Sequence, residues 1–304
     1  MTQTQNPIVA SLFLMGLVLT MVVSTTASET VLLWFLALTV AVLGLPHGSF
    51  DTAVAQRVFK LRSPIQTGLF MLTYLLAAGF VVVLWWWQPF WALVSFLLYS
   101  AWHFGDDVRT RLGHIGALGY GLWLLSLPLV WQPLTVFGIF QALGVTDPTL
   151  ILLAAPYTLA LGGLMLLLSI VKSDDRQRSD WRDPLLLLVV ATVLHPLAYF
   201  VAYFCFLHSP RHWQRVSMRL NLTTWQDHWR AAGPTTLATY ALVAGAVPLL
   251  WHLTASEITL QLVFITLAAL TVPHMVVEMF ADRHFNGGRG LPNHHGTSDL
   301  EGAT

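Results

Sequence analysis

Residues 149–171, TLILLAAPYTLALGGLMLLLSIV, carry no charged side chain at all. The pattern recurs along the chain, at about 8–26, 31–48, 67–88, 90–104, 114–131, 184–207, 235–253 and 258–280. A hydrocarbon core of ~30 Å needs about 20 apolar residues for one helical crossing. Inside it every backbone N–H and C=O must be satisfied within the protein, which leaves helices or closed barrels. Runs this long and this continuous are helical. The expected fold is therefore all-α, a polytopic transmembrane helix bundle of about 8–9 membrane segments.

Composition agrees. Charged residues make up 10% of the 304 and hydrophobic ones 56%, where a soluble domain has about a quarter charged. The 15 Lys and Arg balance the 15 Asp and Glu, so charge points to no nucleic acid and to no acidic partner. One cysteine, Cys205, sits in an apolar run and excludes an internal disulfide and a cysteine metal site. No internal repeat is visible. The domain reading is a single integral membrane catalytic domain over 1–283, with a polar tail at 284–304, NGGRGLPNHHGTSDLEGAT in its main part, expected to be disordered. Residues 8–23 lack a basic flank and a strong cleavage site, and read as a retained first helix.

Basic residues mark cytoplasmic loops. Arg57, Lys60 and Arg62 follow the second run, and Arg109 and Arg111 the fourth. Arg211, Arg215, Arg219 and Arg230 follow 184–207, and Arg283 and Arg289 follow the last. The loops WWWQPFW and TASEIT have none. This puts the N-terminus and most basic loops in the cytoplasm, in a cell (inner) membrane. One conflict arises at 172–183. If 149–171 ends in the cytoplasm, a single crossing by 184–207 places His208 outside. Either the chain turns back at LHPLAY, or 133–145 re-enters and 172–183 is external. The length of 184–207 favours the external loop.

Histidine is over-represented, with 12 in the chain. Intramembrane ionisable residues are functional candidates by default. GLPHGSFD carries His47 and Asp51; YSAWHFGDD carries His103, Asp106 and Asp107; FLHSPRHW carries His208 and His212; VPHMVVEMFADR carries His274 and Glu278. One interfacial histidine is ordinarily a capped or snorkelling side chain, and Asp106 and Asp107 alone read as a helix end. Five histidines at one depth from four separate segments read instead as a shared metal site. His208 and His212, spaced i, i+4, share a helix face and can reach one ion, with Pro210 tolerated in a first helical turn. By the same spacing Asp51 lies near His47 and Glu278 near His274, where carboxylates can orient ligating imidazoles. Imidazole suits several metals and does not name one. His195, before Pro196, is a weaker candidate. His114, His228 and His252 look solvated, and His284, His294 and His295 belong to the tail.

The ordered set GLPHGSFD, YSAWHFG, LHSPRHW and VPHMVVEMFADR resembles the Brp/Blh family of membrane β-carotene 15,15′-dioxygenases, over residues 40–283. The resemblance implies a non-haem iron, Fe(2+), held by His47, His103, His208 and His212. It leaves Asp51, His274 and Glu278 as surrounding groups or a further ligand. It also implies β-carotene and O2 as substrates arriving through the lipid bilayer, two molecules of all-trans-retinal as product, and a functional link to a retinal-binding rhodopsin. Two other readings stay open. A di-iron hydroxylase would need about eight histidines in boxes, whereas only His208–His212 forms one. A transporter or haem-binding subunit would use bundle histidines as relays or axial ligands.

Overall fold

The computed structural model describes residues 7–172 and 182–286, and all regular structure among them is helical. α1 is Pro7–Thr26 and α2 is Glu29–Val58, broken by a π-helical turn at Val40–Gly44 and a non-helical step at Ser49–Phe50. α3 (Pro64–Trp87), α4 (Pro89–Gly105) and α5 (Arg109–Trp131) follow, then short α6 (Pro133–Ala142) and long α7 (Thr149–Val171). α8 is Arg182–Ala191. α9 (Pro196–Tyr203) runs through a second π turn, Phe204–His208, into α10 (Ser209–Leu220). α11 (Trp225–Ala246) and α12 (Ala255–Asn286) complete the bundle.

Seven of these helices are long and apolar enough to cross a membrane. The other two expected segments are α4, which is shorter at 17 residues, and the 184–207 run, which is not one helix. The polar stretch 208–234 contains α10, the helix on which His212 lies, and the start of α11. Its helix starts are written in the sequence: Thr224 and Asp227 form a capping box at α11, as Ser63 and Gln66 do at α3, satisfying amides a helix cannot bond itself. α12 continues to Asn286, past the expected end of the domain. The tail from 287 lies outside the described residues.

Long-range contacts order the helix directions. Ser126 and Thr158 hydroxyls lie 2.7 Å apart and Gly116 faces Ser169, so α7 runs antiparallel to α5 and Lys172 lies toward the N-terminal end of α5. At the far end Gln132 donates to the Leu194 carbonyl, and the His195 amide donates to Ser24 Oγ at 2.7 Å. α6 stays there too: Trp85 Nε1 donates to Leu143 O at 2.8 Å, and Gln261 to Ala142 O at 3.0 Å. The chain therefore turns back at LHPLAY, and the expected external 172–183 loop with re-entrant 133–145 is corrected. Pro196 has no N–H and forces its predecessor extended. His195 takes φ −54°, ψ 141° and caps α9 through Nδ1, which accepts from Leu197 N. Residues 173–181 themselves lie outside the described set.

Leaving aside Arg182 at the start of α8, the described Lys and Arg lie on α10 and on the helix ends and turns that share the side of His47 and His103. The turns at 27–28, 143–148, 192–195 and 247–254, at the other end, contain none. The end with His47 and His103 is the basic end.

Close helix approach supports that geometry. A Cβ on Gly121 of α5 would collide with the Ala101 carbonyl of α4, two residues before His103. Small residues at such crossings let backbones meet in a bilayer. Gly121→Val is expected to displace α4 and lower thermal stability and metal binding together, whereas exposed Gly138→Ala, with open space around it, should change neither; melting curves and metal stoichiometry in detergent check both. In a Cys205→Ala background, Lys172→Cys and Thr223→Cys should react with an impermeant maleimide from one side of the membrane, and Thr146→Cys and Ala255→Cys from the other. Opposite labelling of Lys172→Cys and Thr223→Cys would break the turn at His195.

Candidate metal centre

Each histidine-bearing segment departs from regular α-helix within about a turn of its histidine. The π turn Val40–Gly44 precedes His47, and a Cβ on Gly44 would stand 2.7 Å from the Phe204 ring. α4 ends at Gly105, two residues after His103. The second π turn ends on His208, and Pro210 occupies the first turn of α10, which carries His212. Pro273 lies inside α12 immediately before His274. π turns insert one residue and recur at functional sites.

The five imidazoles, all buried, form a closed loop of neighbours. Ring centroids lie 5.6 Å apart for His47–His208, 4.8 Å for His208–His103 and 5.2 Å for His103–His274. They are 5.0 Å apart for His274–His212 and 5.2 Å for His212–His47, with His47–His274 at 5.4 Å across the loop. Nitrogens of His47, His103 and His274 all come within 4.8 Å of one another, close enough to share one ion. His208 and His212 thus flank His47 rather than pairing along one helix face.

Hydrogen bonds set the rings. His47 Nδ1 bonds the Gly44 carbonyl and His274 Nδ1 bonds Asp51 Oδ1 at 2.8 Å. His208 Nδ1 bonds Asp107 Oδ2 at 3.0 Å, and its Nε2 lies 3.1 Å from His103 Nε2. With Nδ1 the donor in these three, each Nε2 carries a lone pair. His103 Nδ1, both nitrogens of His212 and His274 Nε2 are buried with no hydrogen-bond partner. An unpaired buried polar atom costs about 1–3 kcal/mol. Several in one cluster fit a cation that takes up their lone pairs, so the residues present suit a metal.

The carboxylates serve other helices than the spacing suggested. Asp51 binds His274 and the Tyr74 hydroxyl (2.8 Å), not His47, because the step at Ser49–Phe50 breaks the i, i+4 relation. Glu278 lies 3.4 Å from His212 Nε2, without hydrogen-bond geometry, and takes Arg219 at 2.8 Å. Arg219 also binds Asp282, as does Arg109, which pairs with Asp106 at 2.8 Å. This ionic lattice closes the basic end over the cluster. Asp107, read from sequence as a helix end, belongs to the site; its burial had no signal in a polar turn. His195 caps α9 at the opposite end and is not part of the centre. His228 bonds Ser217 and His114 stacks on Trp102. His294 and His295 lie outside the described residues.

On the other side of the cluster His47 and His103 border a cavity of ≈ 20 Å³ walled by Phe96, Phe104, Phe200 and Phe204, with Ser100 and Thr271 at its edge. It has room for one water-sized molecule. Phe204 stacks at 18° to His208.

A helical membrane bundle in which a cluster of five buried histidines borders an apolar cavity is an architecture that could hold a metal ion. Residues 38–282 match the family model for beta-carotene 15,15′-dioxygenase, and the chain belongs to that family. A relative from Uncultured marine bacterium 66A03, named beta-carotene 15,15′-dioxygenase, is 31% identical over 287 residues, covering 82% of this chain and 94% of the relative. No solved structure matches the chain.

If Asp51 fixes His274 for metal binding, Asp51→Asn should weaken metal affinity about 10–100-fold with helix content unchanged, and His274→Ala should do at least as much. Metal retention by both variants, measured after chelator challenge, would remove His274 from the centre.

Proposed function

We propose that this chain cleaves β-carotene at its central 15,15′ double bond with O2. The products are two molecules of all-trans-retinal, supplied to a retinal-binding rhodopsin. The atoms balance without a reductant: one C40 hydrocarbon and one O2 become two C20 aldehydes, with both oxygens retained. The proposed cofactor is iron(II), with His47, His103, His208 and His212 as its ligands and His274 beside them in reach. When bound, the iron supplies the activation of O2.

One observation carries this reading: buried imidazoles with unpaired nitrogens adjoin a cavity walled by phenylalanines. A polyene has no group to hydrogen-bond; the cavity holds only a water-sized molecule as it stands, so it is the aromatic lining beside the histidines, free of carboxylate and cysteine, that supports an apolar substrate here. Phe204 and Phe104 exclude water from the histidine edge. The buried carboxylates do not move protons here. Asp51 and Asp107 hold rings, and they offset the charge that neutral imidazoles leave uncompensated on a divalent ion. The substrate reaches the site laterally from the bilayer, and the positive-inside rule assigns the basic end, and hence the metal centre, to the cytoplasmic side of the cell membrane.

Expression in a β-carotene-accumulating bacterium tests the reading. The parent should bleach the cells, form retinal and bind one non-haem iron per chain. His47→Ala, His103→Ala, His208→Ala and His212→Ala should each abolish retinal formation and lower bound iron; His294→Ala and His295→Ala should leave both near the parent. Two iron atoms per chain would favour a hydroxylase, a haem spectrum would favour a haem subunit, and substantial activity in two of the four variants would sink the ligand assignment.

A further inference from the structure

Asp107 occupies a three-residue turn between α4 and α5, where an aspartate ordinarily bonds nearby backbone amides. Its neighbour Asp106 behaves in that local way, pairing with Arg109 three residues on. Asp107 does not. Its side chain is fully buried, and both oxygens are committed to distant side chains. Oδ2 accepts from His208 Nδ1 and from the Tyr203 hydroxyl, each at 3.0 Å. Oδ1 accepts from Arg215 at 3.0 Å, and that guanidinium reaches the basic surface with 20% of its side chain exposed. A buried carboxylate survives only when paired and hydrogen-bonded, and here three partners fix its plane.

The arrangement repeats across the centre. Tyr74, Asp51 and His274 are joined as Tyr203, Asp107 and His208 are: a tyrosine hydroxyl and an imidazole Nδ1 on one aspartate. The two units come from different helices and meet on the same imidazole loop. Asp107 is also clamped by Arg215.

We propose that Asp107 is the positioning residue for His208, holding its proton on Nδ1 so that Nε2 faces the centre beside His103. Arg215 and Tyr203 lock the carboxylate in the orientation that does this. The proposal rests on the metal reading given above and adds the residue that makes His208 a ligand. Replacing the carboxylate by an amide leaves the shape but offers one acceptor and one NH2. Arg215 claims the acceptor, the NH2 turns to His208, and the ring's proton moves to Nε2, where it blocks the lone pair.

The test uses the purified full chain, stripped of metal and titrated with Co(II), whose visible absorption reports its ligands. The parent should bind one Co(II) with a defined spectrum. Asp107→Asn should weaken Co(II) about 10–100-fold and change the band shape, while the metal-free protein keeps its helix content and melting temperature. Asp107→Glu should restore much of the affinity, and Tyr203→Phe should cost less than Asp107→Asn. In a His208→Ala background, Asp107→Asn should add little further loss, since residues acting through one another are not additive. If Asp107→Asn does not accumulate, Asp107→Glu carries the test through its band shape, which a displaced carboxylate must alter. A parent that binds no Co(II) overturns the metal reading and this one with it. A parent that binds, with Asp107→Asn or Asp107→Glu giving the same spectrum and affinity, or with losses additive to those of His208→Ala, overturns this proposal alone.

Discussion

Helix backbones in a bundle lie roughly 8–10 Å apart, yet imidazoles that share an ion must bring their nitrogens much closer. That demand shapes the basic half of this molecule. The π turns at Val40–Gly44 and Phe204–His208, the end of α4 after His103 and Pro273 before His274 each re-aim a ring that a regular helix would send elsewhere. Glycine at positions 44 and 121 removes the side chains that would hold the histidine-bearing helices apart. The irregularities are tolerable in lipid because other protein covers them.

Around the rings, polarity is graded. Nearest are Asp51 and Asp107, each held by a tyrosine. Further out, Glu278, Asp282, Asp106, Arg109 and Arg219 form a partly exposed ionic lattice at the basic end. On the opposite flank there is no such gradient, and His47 and His103 adjoin phenylalanine directly. The centre thus has a polar, closed side and an apolar side. A hydrocarbon substrate and a metal with charged surroundings can share one small site only if they meet it from different faces.

Much of this was legible in the sequence, and the exceptions have physical causes. The five histidines and their common depth followed from runs of apolar residues whose ends can be counted. The carboxylate partners did not follow, because i, i+4 spacing assumes an unbroken helix and α2 is broken between His47 and Asp51. Asp107 was hidden for a related reason: in a polar turn, nothing local distinguishes a buried aspartate from a solvated one. The 184–207 run hid its break, since apolar residues on both sides of Pro196 satisfy hydropathy equally well. Its single strong hint was the histidine–proline pair itself. Arg215 and Arg219 of α10 read in sequence as flanking charge, but their heads face carboxylates.

The turn at His195 has a consequence for assembly. α8 and the α9–α10 unit begin as one apolar run, but α8 alone is 10 residues, too short to span a bilayer of ~30 Å. Such a hairpin cannot be handed to the membrane one finished helix at a time. Its apex is held by Ser24 of α1 and Gln132 at the end of α5, so the hairpin is anchored by those two helices. The segment that delivers His208 and His212 thus takes its position from a frame that helices earlier in the chain supply.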